Sequence, residues 1–514
     1  MSMRVRAGGL AAAAALVAGL VTGCDSGGDT DTGSGRSGTA RSDAMASLPA
    51  ALTGQKLDWR GCEAPEGGEK PGPQWRCASV KVPLDYGKPD GETISIALIR
   101  KEARDRDRRI GSLLFNFGGP GASGVTAMPH AAKEFERLGA RYDLVGFDPR
   151  GVARSSGVVC RDSKEQAAAL ARVDLTPDTP EEEAAFMKEG ADFGAGCAER
   201  SGKVIAHVTT SNTARDLDLV RHVLGDRKLN YMGFSYGTQL GGTYAHLFPR
   251  NVGRTVLDAV VDPTADSAGH ARNQAIGFQR ALNNYFTSTG EGAEAGTARV
   301  ATLLKKLDRE PLSTVDGRDL TQSLALTGIA QTLYSEQMWP YLTEGLKEAE
   351  AGNGDPLLQL ADMYNDRAPD GTYGTQAHSQ RAISCADSSS RPTVAEAKAL
   401  LPEFRKISPV FAEFMAWDTA GWCADWPVKG ESATPEASAP GSAPILVVGT
   451  TGDSATPYEG AKKMADELGP GVGVLLTYKG EGHGAYSSGN ACVQGTVNDY
   501  LLDGKVPASG KTCS

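Results

Sequence analysis

Several things are scarce in this 514-residue sequence, and each shortage excludes a class of function. No run of about 20 consecutive apolar residues occurs, the length that a transmembrane helix needs, so a polytopic membrane protein is excluded. Dense basic clusters are missing as well. The one Arg-rich run, Arg100 to Arg109, is broken by Glu102, Asp105 and Asp107, and reads as a solvated loop. The formal charge is −10, and −12 once a leader carrying Arg4 and Arg6 is set aside. Nucleic-acid binding needs clustered Lys and Arg against phosphate, so no such partner is expected. No two of the nine cysteines stand in C-x-x-C spacing, so no metal is expected. Histidines number only seven, which narrows the search for a general base. The remaining composition, 40% hydrophobic and 23% charged, is that of an ordinary globular protein.

The N-terminus has the organisation of an export signal. Arg4 and Arg6 precede a short apolar stretch from Gly8 to Val21. Val21-Thr22-Gly23-Cys24 then resembles a bacterial lipobox, in which the cysteine becomes the lipidated first residue of the mature chain. Residues 1–23 are therefore expected to be a lipoprotein signal peptide, with Cys24 anchoring the chain on the extracellular face of the cell membrane. A flexible tether over 24–50, polar and rich in Gly, Ser, Thr and Asp, would follow. Eight cysteines remain, an even number suited to an oxidising compartment. Spacing does not fix connectivity. Sequential pairing is the simplest expectation: Cys62–Cys77, Cys160–Cys197, Cys385–Cys423 and Cys492–Cys513.

Apolar runs bounded by Gly, Pro and Asp predict strands at 78–84, 93–100, 111–117, 142–147, 228–234, 253–260, 443–449 and 472–478. Helical patterns fall between them, at 213–224, 236–247, 461–468 and 494–501. Strand–helix alternation implies a mostly parallel sheet of about eight strands covered on both faces. The alternation fails between 263 and 440, where the patterns at 278–285, 300–307 and 342–351 are helical. Strand character resumes at 443, and the tail beyond it is too short for a core of its own. The segment therefore reads as a helical lid inserted into one α/β core that spans 51–262 and 441–514.

The sharpest chemical signal is Gly233-Phe234-Ser235-Tyr236-Gly237. This G-x-S-x-G directly follows a strand and opens a helix, the context in which a strained turn exposes a nucleophilic serine. Such a hydroxyl needs an imidazole base, and the base needs a carboxylate to orient it. His483, in Gly480-Glu481-Gly482-His483-Gly484, follows the last predicted strand. Asp453 sits in the loop after the strand 443–449. The order Ser235, Asp453, His483 is that of α/β-hydrolases; Asp425 and Glu481 are rival carboxylates. The oxyanion would be held by the N–H of Tyr236 and by one from Phe117-Gly118-Gly119-Pro120-Gly121, with Gly119 favoured over Gly118. Gly119-Pro-Gly-Ala-Ser-Gly124, with Asp143 beyond it, also matches a dinucleotide fingerprint. An oxyanion loop already accounts for those glycines, so no cofactor is expected.

The chain resembles the secreted tripeptidyl aminopeptidases of actinobacteria, relatives of proline iminopeptidases within the α/β-hydrolase superfamily. The resemblance runs from about 75 to 510. It rests on Gly118 to Gly121, Asp148-Pro-Arg-Gly151, Asn212 to Asp218, Gly233 to Gly242, Tyr244-Ala245, Phe248-Pro249, Val256-Leu-Asp258, Gly452-Asp453 and Gly482-His483. Ala153 departs from the pattern, since relatives usually carry glycine there. The resemblance implies release of short peptides, tripeptides foremost, from free N-termini; separately, a monomer is expected. An aminopeptidase must hold its substrate's ammonium, and buried carboxylates usually do this. Glu336 and Asp387 in the lid are the candidates. An esterase or lipase on the same triad, and a substrate-capture lipoprotein on an inactive scaffold, are the competing readings.

Overall fold

The computed structural model describes residues 48–64, 69–431 and 436–514. The proposed leader, Cys24 and nearly all of the tether lie outside these residues.

Among the described residues twelve strands occur in chain order: β1 (Arg60–Gly61), β2 (Trp75–Pro83), β3 (Thr93–Lys101), β4 (Gly111–Asn116), β5 (Tyr142–Phe147), β6 (Leu229–Phe234), β7 (Val252–Asp258), β8 (Leu312–Ser313), β9 (Asp319–Leu320), β10 (Ile445–Gly452), β11 (Gly473–Glu481) and β12 (Lys511–Cys513). Ten of them form one sheet in the order β1-β2-β3-β5-β4-β6-β7-β10-β11-β12. From β5 to β12 all neighbours are parallel, and β1, β2 and β3 are antiparallel at one edge. This is the α/β-hydrolase arrangement. The sequence predicts about eight strands; the two further ones, β1 and β12, are edge strands too short to carry a periodic signal. Each is held by a disulfide, Cys62–Cys77 next to β1 and Cys492–Cys513 at β12. Cys160–Cys197 and Cys385–Cys423 complete a sequential set of four.

Both sheet faces are buried, which is why the parallel strands read as continuous apolar runs. Successive residues alternate between the faces. Leu114, Tyr231, Leu257 and Val447 pack with Leu217, Leu240 and Met464 from helices on one side. Leu113, Met232, Val256 and Leu446 pack with Met128, Val497 and Leu501 on the other. The Arg100–Arg109 run is neutralised locally, with Arg104 on Glu136, Arg106 on Glu102 and Arg108 on Asp105.

The chain between β7 and β10 forms a helical cap with its own core, built around Phe278, Phe286, Leu304, Ile329, Leu357 and Phe411. The β8–β9 hairpin belongs to it. A second stretch of chain joins this layer. After β5 the helices Ser163–Arg172 and Pro180–Ile205 leave the sheet, and Phe186 packs edge-on against Trp417 of the cap at 6.2 Å. The cap is thus assembled from two segments, whereas the sequence reading assigns the whole of 51–262 to the core. The helix Pro180–Ile205 is amphipathic like any surface helix, so its sequence does not reveal which layer it covers.

Candidate active site

The strand β6 ends at Phe234, and the helix Tyr236–Leu247 begins two residues later. Ser235 makes the turn with φ 56° and ψ −124°, a conformation that costs a non-glycine residue free energy of about 1–3 kcal/mol. The cost is offset by a crowded turn. Ser235 donates its N–H to the carbonyl of Asp258 at 3.1 Å, and its own carbonyl accepts the Thr238 N–H at 2.8 Å. Tyr231 anchors the same helix through a bond from its hydroxyl to the Gly237 carbonyl, 2.8 Å.

Asp453 and His483 are brought together from the ends of β10 and β11. The imidazole Nδ1 lies 2.9 Å and 3.1 Å from the two carboxylate oxygens. Asp453 is fully buried, and it also accepts the N–H groups of Ala455 and Thr456, which fixes the carboxylate before any substrate arrives. Thr456 Oγ1 stands 3.2 Å from the same Nδ1. The backbone N–H of His483 donates to the Tyr334 carbonyl of the cap at 2.8 Å, and the Tyr334 ring meets the imidazole edge-on at 5.4 Å. The other ring nitrogen, Nε2, is buried and has no hydrogen-bond partner among the described residues, Ser235 Oγ included. Burial alone would lower the His483 pKa. The charge and hydrogen bond of Asp453, with the charge of Asp258, outweigh it and raise the group above the ordinary imidazole range. Ser235 borders a small cavity together with Ala455, Thr456 and Pro457, the loop that carries Asp453.

The loop after β4 closes against the serine. A Cβ on Gly118 would stand 2.9 Å from the Ser235 Cβ, so only glycine fits. The Gly118 N–H is engaged by Asn116 Oδ1 at 3.0 Å. The N–H groups of Gly119 and Tyr236 have no acceptor among the described residues. Gly121 abuts the cap, where a Cβ would come within 2.5 Å of the Gln376 carbonyl. Gly124 presses on Phe147 of β5. Close backbone packing therefore occupies the glycines of the dinucleotide-like match. Asp148 braces this loop by accepting from Ser123 Oγ and the N–H groups of Val125 and Arg154.

Neither of the two carboxylates expected to bind an ammonium is both buried and free of a partner. Asp387 accepts both the N–H and the hydroxyl of Thr210, at 2.7 and 2.6 Å, at the start of the helix Thr210–Val223. Its burial pushes the carboxyl up to about 7, against those bonds, which lower it. Glu336 is exposed in a short turn of helix beyond Tyr334. Of the rival acids, Glu481 accepts from Asn284 at 2.9 Å rather than from His483, and Asp425 makes no contact with the imidazole. Among the described residues, no cluster of three His, Cys, Asp or Glu side chains is arranged to hold a metal ion.

One carboxylate escapes the sequence reading. Asp258, at the end of β7, accepts the N–H groups of Ala485 and Tyr486 at 2.9 and 2.8 Å. It is fully buried, and burial pushes its carboxyl up to about 6. The signal available in the sequence was a lone acid closing an apolar strand, Thr255-Val-Leu-Asp258.

A family model described as "TAP-like protein" matches residues 408–513, the part that contains Asp453 and His483. Over 484 residues the chain is 37% identical to "Serine protease Hip1" of Mycobacterium tuberculosis, covering 90% of this chain and 91% of that one. "Tripeptidyl aminopeptidase" of Streptomyces lividans is 32% identical over 495 residues, covering 92% and 89%. This chain belongs to their family of serine peptidases. The chain is also 34% identical over 460 residues to "Carboxylesterase B" of Mycobacterium tuberculosis, covering 85% and 86%.

Proposed function

We propose that the protein is an exported serine aminopeptidase that releases short peptides, tripeptides foremost, from free N-termini through an acyl-enzyme. The observation that carries this reading is the Asp453–His483 pair, at 2.9 Å, whose loop Asp258 ties to the strained strand-to-helix turn of Ser235. The Asp453 carboxylate keeps the proton on Nδ1 and so leaves Nε2 as the base. His483 Nε2 takes the Ser235 proton as Oγ attacks the substrate carbonyl carbon. The N–H groups of Tyr236 and Gly119 receive the negative charge that develops on the carbonyl oxygen. Collapse breaks the C–N bond, and the imidazolium returns its proton to the leaving amine. Water, deprotonated by the same imidazole, then hydrolyses the ester and frees Ser235. Residues of this chain suffice for every step.

Four disulfides support an oxidising destination, and Cys24 is the proposed lipid anchor that would keep a monomer at the outer face of the membrane. Ser235→Ala is expected to abolish cleavage of a free tripeptide anilide while far-UV circular dichroism stays native. Undiminished turnover would remove Ser235 from the mechanism. An esterase is the second reading, motivated by the carboxylesterase relative. Acetylating the substrate's N-terminus separates the two, because an aminopeptidase loses most of its rate and an esterase does not.

A further inference from the structure

We propose that the cleft inside the cap receives the N-terminal residue of a peptide substrate, and that the Asp418 carboxylate takes its ammonium group. The proposal rests on the aminopeptidase reading and names the site which that reading lacks.

The cleft lies among the helices Ser163–Arg172, Pro180–Ile205, Gln322–Thr332, Gln376–Asp387 and Ala412–Gly421, and encloses about 1260 Å³ including its open mouth. Ligand sites are typically concave and apolar-walled with a few placed polar groups, and this cleft has that make-up. Its walls are mainly apolar, with Phe186, Leu324, Phe411, Phe414 and Met415 prominent. Such walls suit a large apolar first residue.

Charge selects one end of a peptide. Four charged residues line the cleft, and three of them are already engaged. Arg161 is paired with Glu189 at 2.5 Å. Arg381 donates to the carbonyls of Gly421 and Trp422, and its guanidinium lies over the Phe193 ring at 4.7 Å and the Trp422 ring at 5.2 Å. The Asp418 side chain makes no hydrogen bond or close ion pair among the described residues, and feels Arg381 only through its charge. Burial pushes its carboxyl up to about 7. An ammonium group beside it would supply the direct hydrogen bonds that Arg381, whose donors are held by two carbonyls, does not make to it.

Two further wall residues favour a peptide over an acyl chain. Gln166 Oε1, an acceptor, and Trp422 Nε1, a donor, are buried without a partner among the described residues. Peptide N–H and C=O groups match both, whereas a hydrocarbon chain matches neither. One helix, Gln376–Asp387, links the cleft to the loop that closes against Ser235. Ala377 and Gln380 line the cleft, while the Gln376 carbonyl and the Gln380 N–H of the same helix back onto Gly121 in the loop beside Ser235.

The test compares Asp418→Asn with the unaltered protein on three substrates: a free leucyl tripeptide anilide, its N-acetyl form and p-nitrophenyl butyrate. Fluorophosphonate labelling of Ser235 reports intact machinery in each preparation. Losing a bond to a charged group should cut kcat/KM for the free peptide about 10- to 100-fold, mainly through KM, and collapse the ratio of free to acetylated rates. A ratio unchanged in Asp418→Asn overturns the assignment. Should that variant not fold, inhibition of the unaltered protein decides. Leucinamide should compete where N-acetyl-leucinamide does not, and equal inhibition by both overturns it. A protein that hydrolyses the ester but neither peptide would instead sink the aminopeptidase reading itself.

Discussion

Asp258 accepts the backbone N–H of Ser235 on its carbonyl at 3.1 Å, while its carboxylate holds the N–H groups of Ala485 and Tyr486. One buried residue at the end of β7 thus ties the turn of the proposed nucleophile to the loop of the proposed base. Its negative charge also helps to keep the His483 pKa raised.

Asp258→Asn should therefore act twice. Only one amide can still find an acceptor, so kcat falls by a factor corresponding to about 1–3 kcal/mol for the group left unpaired. Loss of the charge lowers the His483 pKa, and the acid limb of the kcat/KM profile moves to lower pH. A reduced kcat with an unmoved acid limb would show that the charge does not reach His483.

Stability should peak on the acid side of neutrality. Burial raises the carboxyls of Asp258 to about 6 and of Asp387 and Asp418 to about 7, from an ordinary value of 3.8. Between those values the folded chain binds more protons than the unfolded one, so their contribution is present below about pH 4 and lost as pH rises through 6 and 7. His378 acts in the opposite sense: burial lowers it to about 4, and its contribution is lost as pH falls from 6.5 toward that value. The expected outcome is a Tm that declines from about pH 6 to about pH 8. A steady rise across that range contradicts it.

Arg150 is fully buried and grips both oxygens of Asp216 at 2.7 Å, besides donating to the carbonyls of Pro83, Leu84 and His207. Arg150→Met strands a buried carboxylate and should cost about 3–5 kcal/mol in urea unfolding. In the Arg150→Met, Asp216→Leu double variant the loss should be smaller than the sum of the two single losses, because no charge is left unpaired. Strict additivity would mean that the two side chains do not act as a pair.

Ala153, the departure from the family pattern, has φ 39°, where a Cβ is unfavourable. Ala153→Gly relieves that strain but frees the unfolded chain, so Tm should rise slightly or stay level, with unchanged turnover. A clear drop in Tm would show that the Ala153 methyl group contributes packing that outweighs the strain.

Much of the fold was legible in the sequence. The central parallel strands announce themselves because a sheet buried on both faces demands apolar runs, as in Ile445-Leu-Val-Val448, and β2 and β3 do so by alternation. The elbow at Ser235 is local too, since strand, turn and helix are consecutive in the chain. By contrast β1 and β12 are too short for any periodicity, and pairing with a neighbour alone makes them strands. The helix Pro180–Ile205 looks the same whether it covers sheet or cap. Choosing among the acids was harder still. Asp387 and Asp418 both sit in helices rich in apolar residues, and nothing in their own segments tells that Thr210 satisfies one and leaves the other alone.

The sequence by itself determined the layered α/β architecture, the turn at Ser235 and the candidates Asp453 and His483, because each depends on neighbours a few residues away. Only the tertiary structure decided that Asp453 meets His483, that Asp258 secures the loop beyond it, and that Asp418 faces a cleft. Those facts depend on which distant groups the fold places within reach of each buried carboxylate, and chain order carries no record of that.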